Sequence, residues 1–143
     1  MDWSNILEFA RKGENEKMKF IARVESEDSV GAVLTAMANS KGGEIVIGVD
    51  FKNYHLIGAD VDINWLKNKV LLYCYPEIPF TPELIHKNEK EILVLKIEAG
   101  KSTPYFFKKK CYVRDEKETR LASIEEENEL KERQQIKPEN TIT

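Results

Sequence analysis

The sequence predicts a single α/β (α+β) domain in which a mixed β-sheet with hairpins packs against two or three helices. Three observations carry that expectation. The chain is 143 residues long, enough for one domain with its own core. Val30, Val33, Leu34 and Met37 fall at helical spacing, whereas Glu44 to Val49 is a short β-branched run suited to a buried strand. Between them, Asn39-Ser40-Lys41-Gly42-Gly43 forms a helix stop, because glycine reaches left-handed backbone angles at little steric cost. Helix, glycine turn, central strand and terminal Asp50 make one unit on which the rest is expected to hang.

The elements follow in order. Trp3, Ile6, Leu7 and Ala10 mark a helix over Asp2 to Lys12, ended by Gly13. Lys17 to Val24 alternates Met18, Phe20, Ala22 and Val24 with Lys19, Ile21 and Arg23, as a half-buried strand would. Asp28 or Ser29 is the expected cap of the helix over Ser29 to Ala38. After Asp50, Phe51-Lys52-Asn53 and Tyr54 to Ile57 complete a hairpin. Asp62 can cap a helix through Tyr75, with Ile63, Leu66, Val70 and Cys74 on one stripe, before Pro76, Pro79 and Pro82 break the chain. Glu83 to Lys87 and Glu91 to Ile97 are strands around Lys87-Asn88-Glu89-Lys90, and Tyr105 to Phe107 with Lys110 to Arg114 form another hairpin. Leu121 to Gln135 reads as a charged helix, with Ser123 as cap and Glu126 in the capping-box position, and Ile136 to Thr143 as a frayed end. Residues 1–124 are thus the domain, and 125–143 a charged helix and tail.

Composition narrows the function classes. With 41% apolar and 33% charged residues the chain matches a soluble globular protein, and no apolar run is long enough for a membrane span. The N-terminus does not resemble a signal peptide, and Cys74 and Cys111 stand apart in apolar surroundings, as reduced thiols of a cytoplasmic protein would. Net charge is −3. Six acids against three bases from Glu125 onward account for it, leaving residues 1–124 balanced. A balanced domain lacks the overall basic footprint of a nucleic-acid binder, so such binding would need a local patch.

Several motifs offer chemistry. Gly100-Lys101-Ser102-Thr103 is not a phosphate loop: Leu95 stands where its first glycine belongs, and Pro104 blocks the helix that would hold the phosphates. His55 and His86 have no second ligand at metal spacing, and neither cysteine has a histidine nearby in sequence. Gly42-Gly43 reads either as a tight structural joint or, with Lys41, as backbone amides facing a phosphate. Lys108-Lys109-Lys110, with Arg114 and Arg120, is the most concentrated basic segment, interleaved with Tyr105, Phe106, Phe107 and Tyr112. It can meet phosphates and bases, or it can be a solvated hairpin tip with its aromatics in the core. Glu14, Glu16 and Asp50 are the acids suited to a divalent metal, although Asp50 equally suits a turn cap.

The run Ala38-Asn39-Ser40-Lys41-Gly42-Gly43-Glu44-Ile45-Val46-Ile47-Gly48-Val49-Asp50 resembles the central motif of the Schlafen AlbA-like domain, also called the DNA-binding, divergent-AAA-associated domain. Gly13-Glu14-Asn15-Glu16-Lys17-Met18-Lys19-Phe20 is similar to its opening motif. Pro104-Tyr105, Tyr112-Val113-Arg114 and Thr119-Arg120-Leu121-Ala122-Ser123 are similar to its ending, so the resemblance runs from about Leu7 to Leu130. It implies a mixed α/β domain that binds nucleic acid, often joined to an ATPase or winged-helix region in transcriptional regulators. In vertebrate Schlafens a doubled version cleaves tRNA and rRNA with two glutamates and an aspartate. The matching positions are Glu14, Lys19 and Asp50, so an ammonium stands where the second carboxylate belongs, unless Glu16 substitutes. Ile21 also replaces a family lysine, and the Schlafen zinc site has no counterpart.

The leading expectation is a non-catalytic, regulatory module for DNA or RNA that contacts phosphates through Lys41, Gly42, Gly43, Lys108, Lys109, Lys110, Arg114 and Arg120. One alternative is a ribonuclease using Glu14, Glu16 and Asp50, which alone would require a divalent metal. The other is a protein-interaction or homo-oligomerisation domain.

Overall fold

A computed structural model describes residues 1–135; the frayed end expected for Ile136 to Thr143 lies outside them. The first half holds α1 (Trp3–Lys12), β1 (Met18–Ile21), α2 (Glu27–Ala38), β2 (Gly43–Ile47), β3 (Val49–Asp50), β4 (His55–Leu56) and α3 (Ile63–Lys69). After a 3₁₀ turn at Leu71–Tyr73 come β5 (Cys74–Tyr75), β6 (Phe80–Lys87), β7 (Lys90–Ile97), β8 (Phe106–Phe107), β9 (Lys110–Asp115), β10 (Glu118–Leu121) and α4 (Ile124–Gln135). The mixed α+β single domain expected from the sequence is what forms, with four helices among the described residues.

The main sheet has the order β1-β2-β7-β6, parallel between β1 and β2 and antiparallel elsewhere. Its central strands bury both faces. Side chains alternate along a strand, so Ile45, Ile47, Leu93 and Leu95 meet Val30, Val33, Leu34 and Met37 of α2. Val46, Ile92 and Val94 point the other way, onto Met18 and Phe20 and onto Ile6 and Ala10 of α1. Two buried faces explain why these strands read as apolar runs rather than as alternations.

A second sheet, β10-β9-β8-β5, is antiparallel throughout. It packs against α2, whose other side faces the main sheet, so α2 is a middle layer. The approach is close. A Cβ on Gly31 would stand 2.4 Å from the Phe107 ring, which is why α2 carries a glycine there despite its cost in a helix.

Asn39, 2% exposed at the C-terminal end of α2, ties these layers together. Its Oδ1 accepts from the Tyr105 N–H at 2.7 Å, and its Nδ2 donates to the carbonyls of Tyr105 (3.0 Å) and Tyr112 (2.9 Å). Its own carbonyl accepts from Arg133 of α4 at 2.9 Å. α4 is held further by the Thr103 hydroxyl, which donates to the Leu130 carbonyl at 2.7 Å, and by burial of Leu130. The Ser123–Glu126 capping box forms as expected, with bonds of 2.8 and 3.1 Å, and Arg120 grips the Glu126 carboxylate from β10.

Several boundaries differ from the expectations. The cap of α2 is Ser26, not Asp28 or Ser29, which places Glu27 and Asp28 in the first turn where the helix dipole favours acids. β1 stops at Ile21, which is buried in the α2-side core rather than turned outward. The helix expected through Tyr75 ends at Lys69. Pro76 disfavours helical angles at Tyr75, and Cys74 and Tyr75 pair instead with Phe107 and Phe106. Pro82, expected to break the chain, lies within β6 because that strand is an edge, where a missing N–H is tolerated. β10 occupies the start of the segment expected to be helical from Leu121.

Two predictions follow from α4 and its anchor. Asn39→Ala should lower stability by about 2–4 kcal/mol in urea unfolding, because it strands the buried amide and carbonyl groups that the side chain satisfies, whereas Ser40→Ala should change it by less than about 0.5 kcal/mol. Arg120 holds the Glu126 carboxyl down at about 2, with the Ser123 N–H adding to the effect. A carboxyl depressed on folding stabilises above its unfolded value, about 4.3, and that contribution disappears as pH falls towards 2. The stability difference between wild type and Glu126→Gln should therefore be full at pH 7, shrink below about pH 4.3 and vanish near the folded value.

Candidate nucleic-acid interface

The basic hairpin turns through Lys108 and Lys109, whose φ angles of +49° and +67° are both left-handed. Such a two-residue turn matches the twist of the flanking strands, but asparagine or glycine fits it with less strain than lysine. Lys108 is committed within the fold. Its Nζ contacts Asp28 at 2.9 Å, which raises its proton affinity, and it lies 5.2 Å and 5.9 Å from the ring centroids of Phe107 and Tyr73. Lys109 and Lys110 are exposed and form no ion pair among the described residues.

The other cations proposed for phosphates are engaged elsewhere. Lys41 is exposed and pairs with Glu16 at 3.2 Å. Arg114 is 6% exposed and donates to the carbonyls of Asn15 (3.0 Å) and Met18 (3.1 Å) and to the Thr119 hydroxyl (3.0 Å). Burial lowers its proton affinity, with Glu14 opposing that shift. It braces β9 against β1 and does not reach outward. Arg120 bonds Asp115 at 2.5 Å and both oxygens of Glu126. Gly42 donates its N–H to the Met37 carbonyl at 2.8 Å, and a Cβ there would stand 2.5 Å from the Ile97 carbonyl oxygen. A Cβ on Gly43 would meet the Lys17 carbonyl at 2.7 Å. The structural reading accounts for both glycines.

Each of the three acids is engaged by its own protein donor. Glu14 accepts from the Phe20 N–H at 2.9 Å and faces the Lys19 ammonium at 3.5 Å. Glu16 turns to Lys41. Asp50 accepts from the Asn53 amide at 2.9 Å, the main reason its carboxyl sits below the ordinary range. No group of three acidic, histidine or cysteine side chains suited to a metal forms among the described residues. A divalent ion needs several converging oxygens, so the ribonuclease ligand set does not fit this geometry. Lys19 and Asp50 do line one open groove of about 840 Å³ with Arg23, Arg114 and Lys117, but Glu25, Asp28 and Glu118 line it too.

The remaining motifs are structural. Gly100 packs under the Tyr105 ring, and Ser102 donates its N–H to the Tyr105 hydroxyl at 3.0 Å, so the Gly-Lys-Ser-Thr run is a packed loop. Cys74 and Cys111 are free thiols pushed up to about 11 by burial, hence protonated at neutral pH.

The aromatics beside the basic tip are not all those the sequence pointed to. Tyr105 and Phe107 are core residues, 3% and 1% exposed. Tyr73 and Tyr75, assigned to a helix from the sequence, are instead 50% and 76% exposed. The signal that could have revealed them was Pro76, which forces Tyr75 out of helical angles and towards the β8 edge.

Comparison with known proteins agrees with this architecture. The crystal structure of the DIP2311 protein from Corynebacterium diphtheriae superposes with a TM-score of 0.63 at 16% identity, over 85% of this chain. The chain spans only 24% of that protein. The solution structure of the N-terminal domain of a Nitrosomonas europaea protein, related by name to the ATP-dependent DNA helicase RecG, superposes at 0.53 with 17% identity. That match covers 76% of this chain and 81% of the other. At such identities the likeness concerns the fold alone. No curated protein matches the chain. The profile of the Schlafen, AlbA_2 family matches residues 8–123, from α1 through the cap of α4, and the chain belongs to that family.

Proposed function

We propose that this domain binds nucleic acid, DNA or RNA, through the Lys108–Lys110 tip and does not cleave it. The observation that carries the reading is the pair Lys109 and Lys110, two exposed cations without an ion pair among the described residues, adjacent in sequence where the turn enters β9. Clustered free cations displace condensed counterions from a phosphate backbone, which favours association most at low salt. Family membership and the helicase-related name of one structural neighbour support the same reading. The absence of cleavage rests on Lys19, whose ammonium neutralises Glu14 where a metal ligand would be needed. In this reading the domain is a cytoplasmic, regulatory module.

The reading predicts a salt dependence. Removing two phosphate contacts with Lys109→Ala/Lys110→Ala should flatten the slope of log affinity against log salt by about 1.4–1.8, as measured by fluorescence anisotropy of a labelled oligonucleotide. Unchanged affinity and slope would exclude the tip. Incubation with tRNA and Mg²⁺ or Mn²⁺ should leave the RNA intact; cleavage abolished by Asp50→Ala would overturn the non-catalytic part.

A further inference from the structure

We infer that the surface beside the basic tip is a stacking platform for unpaired nucleobases, formed by Tyr73, Tyr75 and Phe106. The inference rests on the nucleic-acid reading above and assigns that site a single-stranded ligand. β5 is only two residues long, and its register sets Tyr75 directly opposite Phe106 and Cys74 opposite Phe107. Since successive side chains point to opposite faces, Cys74 and Phe107 turn to the core while Tyr75 and Phe106 stand together on the outer face. Tyr73 is fixed beside them. Its carbonyl accepts the Lys108 N–H at 2.9 Å, and the Lys108 ammonium lies 5.9 Å from its ring centroid. Leu72, 72% exposed, and Lys109 complete an open groove of about 630 Å³.

The composition of this groove selects its occupant. It is lined by three aromatic rings, an exposed leucine, the partly buried Cys74 and two lysines, with no acidic residue. Aromatic faces beside a free cation, here Lys109, are what a single strand needs, since each base offers a π-face and each linkage a charge. A duplex keeps its base faces stacked and presents its backbone and the base edges in its grooves instead. An apolar protein partner would leave Lys109 without a counter-charge, and β5, two residues long and followed by Pro76, offers little ladder for an added peptide strand.

Three probes test this by anisotropy at one salt concentration: a labelled twelve-nucleotide oligothymidine, an abasic backbone of equal length, and a duplex. Wild type should bind oligothymidine about 10–100-fold more tightly than the abasic strand, and more tightly than the duplex. Tyr73→Ala/Tyr75→Ala should lose that preference and bind the two single strands alike, with its salt slope unchanged. Tyr73→Phe/Tyr75→Phe should retain it. Equal wild-type affinity for oligothymidine and the abasic strand would overturn the platform while leaving phosphate binding at the tip intact, and this arm needs no variant to fold. A dimer seen by light scattering that the alanine variant abolishes, with oligonucleotide affinity unchanged, would reassign the patch to contacts between copies. Failure of wild type to bind any probe would remove both readings.

Discussion

The side chain of Asn39 is the point on which the layers of this domain converge. α2 has sheet on both sides, and apolar packing alone sets no register between a helix and the strands on either face. Hydrophobic contact is non-directional; hydrogen bonds are not. One buried carboxamide supplies an acceptor and two donors, and all three find backbone partners on Tyr105 and Tyr112. Tyr105 leads directly into β8, so the same bonds fix where the Lys108–Lys109 turn emerges. The Asn39 carbonyl, through Arg133, carries the constraint to α4. A residue that reads as a helix stop thereby positions the surface to which we assign binding.

Energetics separate the cations that a ligand could recruit from those it could not. An exposed pair such as Lys41 with Glu16 is worth about 0–1 kcal/mol, so a phosphate could take Lys41 at little cost. Arg114 differs. Withdrawing its buried guanidinium would break three hydrogen bonds from a charged donor, at about 1.5–3 kcal/mol for each, and would loosen β9 from β1. Arg120 already faces two carboxylates, which raise its proton affinity well above normal. Lys109 and Lys110 need give up nothing to meet a polyanion. The Glu14–Lys19 pair has a different consequence: it gives the Glu14 carboxylate an internal counter-ion.

Much of the fold was legible in the sequence because its strongest signals are local. The glycine turn, the 3.6-residue period of α2, the β-branched run of β2 and the Ser123–Glu126 box each depend on neighbours a few residues apart. What escaped depends on distant partners. The Ile63–Cys74 stripe has genuine helical spacing, and Leu66 and Val70 are buried, but strand pairing with Phe106 and Phe107 takes over beyond Lys69. The site was legible in part for the same reason. A lysine run shows that charge is concentrated, yet only the folded chain shows that Arg114 turns inward, that Arg120 is neutralised and that two tyrosines far away in sequence flank the tip.

The central claim is that nucleic acid meets this domain at the hairpin tip and its tyrosines, not in the groove that contains Lys19 and Asp50. The most direct measurement is a map of backbone amide chemical shifts during titration with a short single-stranded oligonucleotide. The account predicts that the perturbed amides cluster at residues 72–75 and 106–110 and that those of residues 19–25 and 50 stay in place. Perturbations centred on Lys19, Arg23 and Asp50, with a silent tip, would contradict it.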